Sequence, residues 1–218
     1  MFPRYLARSL GIITAVSAAI LFGPQDSGAQ EVRITPALGI YLPLGVGGKL
    51  IDERSLYKAQ IQTGILFGRA LVRAEPWLDL EAEAGWGRGM LVIRDSSRSR
   101  VVTDVPSTLW MLDLRGLLRL SPAARASRRL SPYVGLGAGV VGRHGEAYSD
   151  TPARTRPSGV VLLGVDAALG RRGRGPAVRF ELSDRFSRAQ FNVGLPTETR
   201  ARIVHDIVWS WGISFRVH

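Results

Sequence analysis

Asp79, Glu81 and Glu83 recur at every second position, a spacing that places all three carboxylates on one face of an extended strand. Three acids in register could share a proton for acid–base work or hold a cation, and each needs a compensating charge wherever water is excluded. The chain supplies that charge in the same alternating pattern. Asp113, Arg115 and Arg119 share one face of their segment, Arg179 and Glu181 share another, and Asp166, Asp206 and Arg216 fall on the polar side of theirs, as Arg33 does. Acids and arginines on facing strands point to an internal ion-pair network more than to catalysis.

Other chemistry is thinly supplied. No cysteine occurs in 218 residues, which excludes disulfides, thiolate metal sites, iron–sulfur ligation and a cysteine nucleophile. The three histidines, His144, His205 and His218, have neither helical nor hairpin ligand spacing for zinc. His205 has Asp206 and Ser210 near it in sequence, but a strand turns both to the opposite face, so they form no base–nucleophile pair with it. Gly137, Gly139 and Gly142 match the dinucleotide fingerprint, yet Arg143 and His144 open a loop where a helix is required; before Lys49, Pro43 occupies the first glycine of a phosphate loop. No catalytic residue, cofactor or metal is expected, and the chain reads as non-enzymatic.

The charged residues need elements of period two. The 25 glycines and 12 prolines favour strands and turns over long helices. Eight alternating segments follow Gln30, centred on 32–42, 61–67, 78–86, 110–120, 132–141, 161–167, 178–182 and 207–217. Their apolar faces carry Ile34, Leu38 and Ile40 in the first, Ile61, Thr63, Ile65 and Phe67 in the second, and Trp209, Trp211 and Ile213 in the last. Arg69 and Arg88 read as lying on the apolar face near strand ends, where a long side chain can snorkel. Connections near 43–58, 95–108, 143–158 and 187–203 are long, whereas those near 73–77, 121–131 and 171–176 are mostly shorter. Long loops on one side and short turns on the other, with an even strand number, are the layout of an antiparallel up-and-down transmembrane β-barrel.

The start of the chain agrees. Arg4 and Arg8 precede an apolar run from Leu10 to Gly23, and small residues Ser27, Gly28 and Ala29 follow. This three-part layout predicts a cleaved signal peptide over 1–29 and a single barrel domain over 30–218. A soluble barrel is the competing arrangement, with the apolar face as core and the charged face in water. It would have to pack Trp86, Trp110, Trp209, Trp211 and many aliphatics into eight strands, which is crowded. Aromatics give two candidate interface belts: Trp77, Tyr133 and Phe215 at the short-turn end, with Tyr41, Tyr57, Trp86, Trp110 and Phe186 near the long-loop end.

The net charge of +11 comes from 27 arginines and only 2 lysines among the basic residues. Many arginines fall in the expected connections, including Arg94, Arg98, Arg100, Arg154, Arg156, Arg185, Arg188, Arg200 and Arg202 in the long ones. At an outer surface they could pair bidentately with lipopolysaccharide phosphates. Export and the lack of a recognition element argue against nucleic acid.

The stretch from Pro132 to Val140, with glycine at 135, 137 and 139, and the closing stretch from Trp209 to Val217 resemble the strands of small eight-stranded outer-membrane β-barrel proteins. The resemblance is to the OmpX/OmpW-like group and the OmpA transmembrane domain, and it spans essentially the whole mature chain. It implies a cell outer-membrane location, partners in outer-membrane lipid, lipopolysaccharide and the barrel-insertion machinery, and a monomer without cofactor. The family's closing strand usually ends in an aromatic residue, whereas here Phe215 is followed by Arg216, Val217 and His218. The expected role is structural, adhesive or surface-binding through the long loops. A narrow channel or transporter for small, hydrophobic molecules is the alternative, and a lipid A-modifying enzyme stands behind both.

Overall fold

The computed structural model describes residues 31–44, 57–95, 100–120, 129–144, 155–170, 175–189 and 202–217. The leader assigned to 1–29, the Pro43-to-Lys49 stretch from residue 45 on, His218, and Arg98, Arg125, Arg128, Arg154, Arg171, Arg172, Arg174 and Arg200 lie outside the described residues. Eight strands form: β1 (Val32–Leu44), β2 (Tyr57–Glu75), β3 (Leu78–Asp95), β4 (Arg100–Arg119), β5 (Leu130–His144), β6 (Thr155–Ala168), β7 (Ala177–Ala189) and β8 (Arg202–Val217). Each pairs antiparallel with its neighbour in sequence, and β1 pairs with β8 to close the barrel. Closure matters because a wall facing hydrocarbon must satisfy its own backbone donors and acceptors. The shortest strands have 13 residues, more than the roughly 9–11 that a tilted strand needs to cross a bilayer.

Side chains alternate around the whole wall. Ile34, Leu38, Leu80, Leu114, Leu118, Leu136, Leu163, Phe180, Leu182 and Ile213 point outward and are exposed, while the buried positions include acids, arginines, serines and threonines. This inverts a water-soluble protein, and it decides the orientation left open by periodicity: the apolar face is the outer wall. Leu136 on that wall is 68% exposed, whereas Arg179 in the lumen is 0% exposed.

Two expectations are corrected here. The stretch 95–108 is not a long loop, because β3 runs to Asp95 and β4 starts at Arg100, leaving only 96–99 between them. Leu91-Val92-Ile93 and Val101-Val102-Thr103 are rich in residues that suit a pleated strand, and their backbones pair across the hairpin. Likewise β5 continues through Arg143 to His144, β7 carries Arg185 and Arg188, and Arg94, Arg100, Arg156 and Arg202 lie in β3, β4, β6 and β8, so these arginines belong to strands and not to connections. The second correction is the facing of β2. Ile65, Phe67 and Arg69 are buried in the lumen, while Leu66 points outward with Gly64 and Gly68. Ile65-Leu66-Phe67 is apolar on both faces, so alternation within it cannot choose; pairing Phe67 with Gly85 and Arg69 with Glu83 does.

Candidate functional site

The lumen of the barrel is filled by the charged residues that the spacing brought to notice. β3 sets Asp79, Glu81 and Glu83 one above the next on the inner wall, and all three are buried. From β4, Arg119 donates to Asp79 at 2.6 Å and to Asp166 of β6 at 2.7 Å. Arg179 of β7 reaches the same Asp166 at 2.8 Å and also donates to Glu81. Arg115 donates to Glu83 and, at 2.9 Å, to Glu181 of β7. The line continues upward through Arg185 of β7, which bridges Glu83 and Asp113.

Several members were not assigned to the network from sequence. Arg69 donates to Glu83 at 2.5 Å, to Glu181 at 3.0 Å and to the Ser210 hydroxyl at 2.7 Å, so its placement on the apolar face is wrong. At the short-turn end Arg73 joins Asp79 to Glu31, each at 3.0 Å. Nearer the long-loop end Arg143 donates to Asp206 and to Ser187, and the Tyr41 hydroxyl donates to Asp206 at 2.6 Å. Arg69, Arg143 and Arg185 share the inward parity of neighbouring acids, a signal readable only once the strands are extended and their register is known.

Arg216 departs from its expected place. It donates to Glu31 at 2.8 Å beside Arg33, forming a clamp at the rim between the start of β1 and the end of β8. Among the described residues the buried lumen charges are Arg69, Arg115, Arg119, Arg143, Arg179 and Arg185 against Asp79, Glu81, Glu83, Asp113, Asp166, Glu181 and Asp206, and the half-buried Arg73 supplies the seventh cation from the short-turn end. Matched charge is what permits so many ions to be withdrawn from water, because an unpaired buried ion costs several kcal/mol, about 3–5 when one partner is removed.

Room for these side chains comes from glycine. A Cβ at Gly139 would meet Leu112 O at 2.1 Å and the Asp113 carboxylate at 2.3 Å. At Gly164 it would strike the Tyr133 ring at 2.3 Å. Tyr133 is therefore not an interface aromatic: it is buried, its hydroxyl donates to Glu181 at 3.1 Å, and its ring receives Arg179 at 4.9 Å and Arg119 at 5.4 Å. Its inward parity follows from alternation with Val134, and two guanidiniums compensate its burial. Tyr41 likewise leaves the outer belt for the lumen.

Trp77, Trp86, Phe186 and Phe215 do lie exposed on the outer wall, Trp110 is half-buried there, and the Tyr57 side chain lies outside the described residues. Trp77 and Phe215 are exposed at the short-turn end; Trp86 is exposed toward the other, with the Arg88 guanidinium 5.3 Å from its ring. Trp110 pairs in register with Trp86 and donates from its indole to His144 Nε2 at 2.9 Å. Trp209 and Trp211 make an edge contact at 6.0 Å between the two belts. His205 and Ser210 occupy opposite faces, as alternation required: the imidazole is outside and the serine hydroxyl is inside.

The geometry is that of a small membrane barrel with a cross-linked interior. No protein-family model matches the chain, and no curated protein matches it in sequence. Solved structures do match. Neisserial surface protein A aligns over 85% of this chain and 97% of its own at 12% identity, with a TM-score of 0.56. The outer membrane protein OprG from Pseudomonas aeruginosa aligns over 86% and 96% at 13% identity, with a TM-score of 0.53. Ail, the attachment invasion locus protein of Yersinia pestis, solved with the heparin analogue sucrose octasulfate, aligns over 86% and 99% at 11% identity, with a TM-score of 0.50. The chain thus has the fold of the small eight-stranded outer-membrane β-barrels.

Proposed function

We propose that this protein is a non-enzymatic barrel of the cell outer membrane, exported by its leader, whose lumen is a plug and whose contacts are made at the long-loop end. The observation that carries this reading is the continuous ion-pair chain from Glu31 through Arg73, Asp79, Arg119, Asp166, Arg179 and Glu81 to Arg115, Glu83, Arg185 and Asp113. Such a chain crosses the lumen from wall to wall and occupies the path that a solute would take. It supports a structural, adhesive or surface-binding role over a channel for small molecules. Arg154, between β5 and β6, and Arg200, between β7 and β8, are suited to phosphate or sulfate groups on neighbouring surfaces, lipopolysaccharide among them. The similarity to Ail, whose name records attachment and invasion, fits that direction.

The barrel-insertion machinery and outer-membrane lipid are the partners this role requires, and a monomer suffices for it. The test has two parts. Outer-membrane fractions run unboiled and boiled should show a heat-dependent mobility shift, and the purified barrel should give no single-channel conductance in planar bilayers. Replacing residues 45–56, 145–154 and 190–201 with short glycine–serine turns should abolish attachment to sulfated or phosphorylated surfaces while the mobility shift remains. Steady conductance that changes on Asp113→Asn would instead favour the channel.

A further inference from the structure

Among the described residues one ionisable pair lies on the wall that faces lipid, outside both the plug and the rim clamp. Asp184 sits in β7 between Leu182 and Phe186, which are both exposed outward, and His205 sits in β8 near the equally outward Ile203. The two side chains meet across the strand pair, His205 Nδ1 lying 2.8 Å from Asp184 Oδ2. Ionisable groups on a lipid-facing surface are costly and do not improve packing there, so they mark a functional site. The pair is close to the long-loop end, since β8 begins at Arg202 and β7 ends at Ala189. Because Nδ1 is engaged by the carboxylate, Nε2 is the nitrogen left to bond another group, and the imidazole is 53% exposed. Two positions beyond Phe186 on the same outward stripe stands Arg188, which is exposed and has no ion-pair partner among the described residues. Register places Phe186 opposite His205 and Arg188 opposite Ile203, so Arg188 and His205 stand at diagonal positions on adjacent strands, within reach of long side chains.

We propose that Arg188 and His205, with His205 oriented by Asp184, form a site for a phosphate monoester on the headgroup of an outer-leaflet glycolipid. Arg188 offers a planar fork of donors, and His205 adds a donor from Nε2 when it carries a proton, its charge balanced by Asp184. Asp184 is a positioning residue: one of its oxygens holds the imidazole and the other accepts no hydrogen bond. Phe186 and Ile203 lie alongside, where the first acyl carbons below a headgroup would pass. The groups facing His205 from its neighbours are Asp184 and Arg188 on β7, while Asp206 on its own strand points into the lumen. The site rests on the reading above that the long-loop end faces outward in the outer membrane.

The test is native mass spectrometry of the full mature barrel in detergent, titrated with diphosphorylated lipid A, with the same glycolipid after dephosphorylation, and with phosphatidylglycerol. Diphosphorylated lipid A should bind about tenfold more tightly than either comparator, a difference of one well-formed charge-assisted contact. Arg188→Ala and His205→Gln should each lower that affinity about five- to tenfold. The double variant Asp184→Leu/His205→Phe should lose the preference while unfolding no more easily than wild type, because apolar groups suit that wall better than ions do. Equal binding of dephosphorylated lipid A or phosphatidylglycerol, or variants that bind as wild type does, would overturn the site. The heat-dependent mobility shift is recorded on each sample, so loss of the site with the shift intact leaves the barrel reading standing, and loss of the shift in wild type removes both.

Discussion

Removing Arg115 from the plug is the most informative perturbation. Its Nη1 lies 2.9 Å from Glu181 and 3.4 Å from Glu81, and its Nη2 donates to Glu83 and lies 3.7 Å from Asp113. In Arg115→Met the four carboxylates keep other partners: Glu81 has Arg179, Glu83 has Arg69 and Arg185, Glu181 has Arg69, and Asp113 has Arg185. No carboxylate is orphaned, but the buried set is left with one excess negative charge where water cannot screen it. Breaking a buried ion pair from one side costs about 3–5 kcal/mol, roughly a 150- to 5,000-fold fall in the folding constant. In reversible urea unfolding in lipid vesicles, followed by tryptophan fluorescence, this is a fall of about 1–3 M in the midpoint. Glu83→Gln restores the charge balance, so the double variant should be less destabilised than the sum of the singles, with a coupling above about 1 kcal/mol. If Arg115→Met stays within about 1 kcal/mol of wild type, or the two changes simply add, the charge-balance account of the lumen is wrong.

Three further outcomes follow from the same geometry. Gly139→Ala must push a methyl group into the Leu112 carbonyl and the Asp113 carboxylate, so it should cost about 1–3 kcal/mol in the same assay, the range for overpacking. Leu136→Arg places a charge at a 68% exposed position on the outer wall; in bilayers it should destabilise by about 2–4 kcal/mol, whereas on a water-facing wall the change would stay within about 0.5 kcal/mol. Glu31 stands outside the strands: burial pushes its carboxyl up, but Arg33, Arg73 and Arg216 outweigh it and hold the group below its ordinary range. A depressed carboxylate contributes stability that is present above its unfolded value, about 4.3 for glutamate, and is lost as the pH falls through the lower folded value. Wild type should therefore lose more stability than Glu31→Gln on acidification from about pH 5 to pH 3, and parallel pH profiles would remove the rim clamp as the cause.

The sequence by itself determined the strand period, the strand number and the charged character of one face, because a side-chain period of two and the solvation cost of ions act locally along each segment. Asp79, Glu81, Glu83, Asp113, Arg115, Arg119, Asp166, Arg179, Glu181 and Asp206 were legible for that reason. Which face of β2 looks inward was not, since Ile65, Leu66 and Phe67 satisfy either orientation and only register with Ala37 and Gly85 chooses. Tyr133 and Arg69 left their expected places because their partners come from distant strands, Glu181 in both cases and Ser210 for the arginine. Arg143 and Arg185 looked like loop residues until pairing carried β5 and β7 past the end of their apolar alternation. His205 pairs with Asp184, 21 residues away, and not with its sequence neighbour Asp206. Alternation states that two residues share a face; closure of the barrel decides which residues on other strands they meet there, because lateral pairing and stagger are properties of the whole sheet.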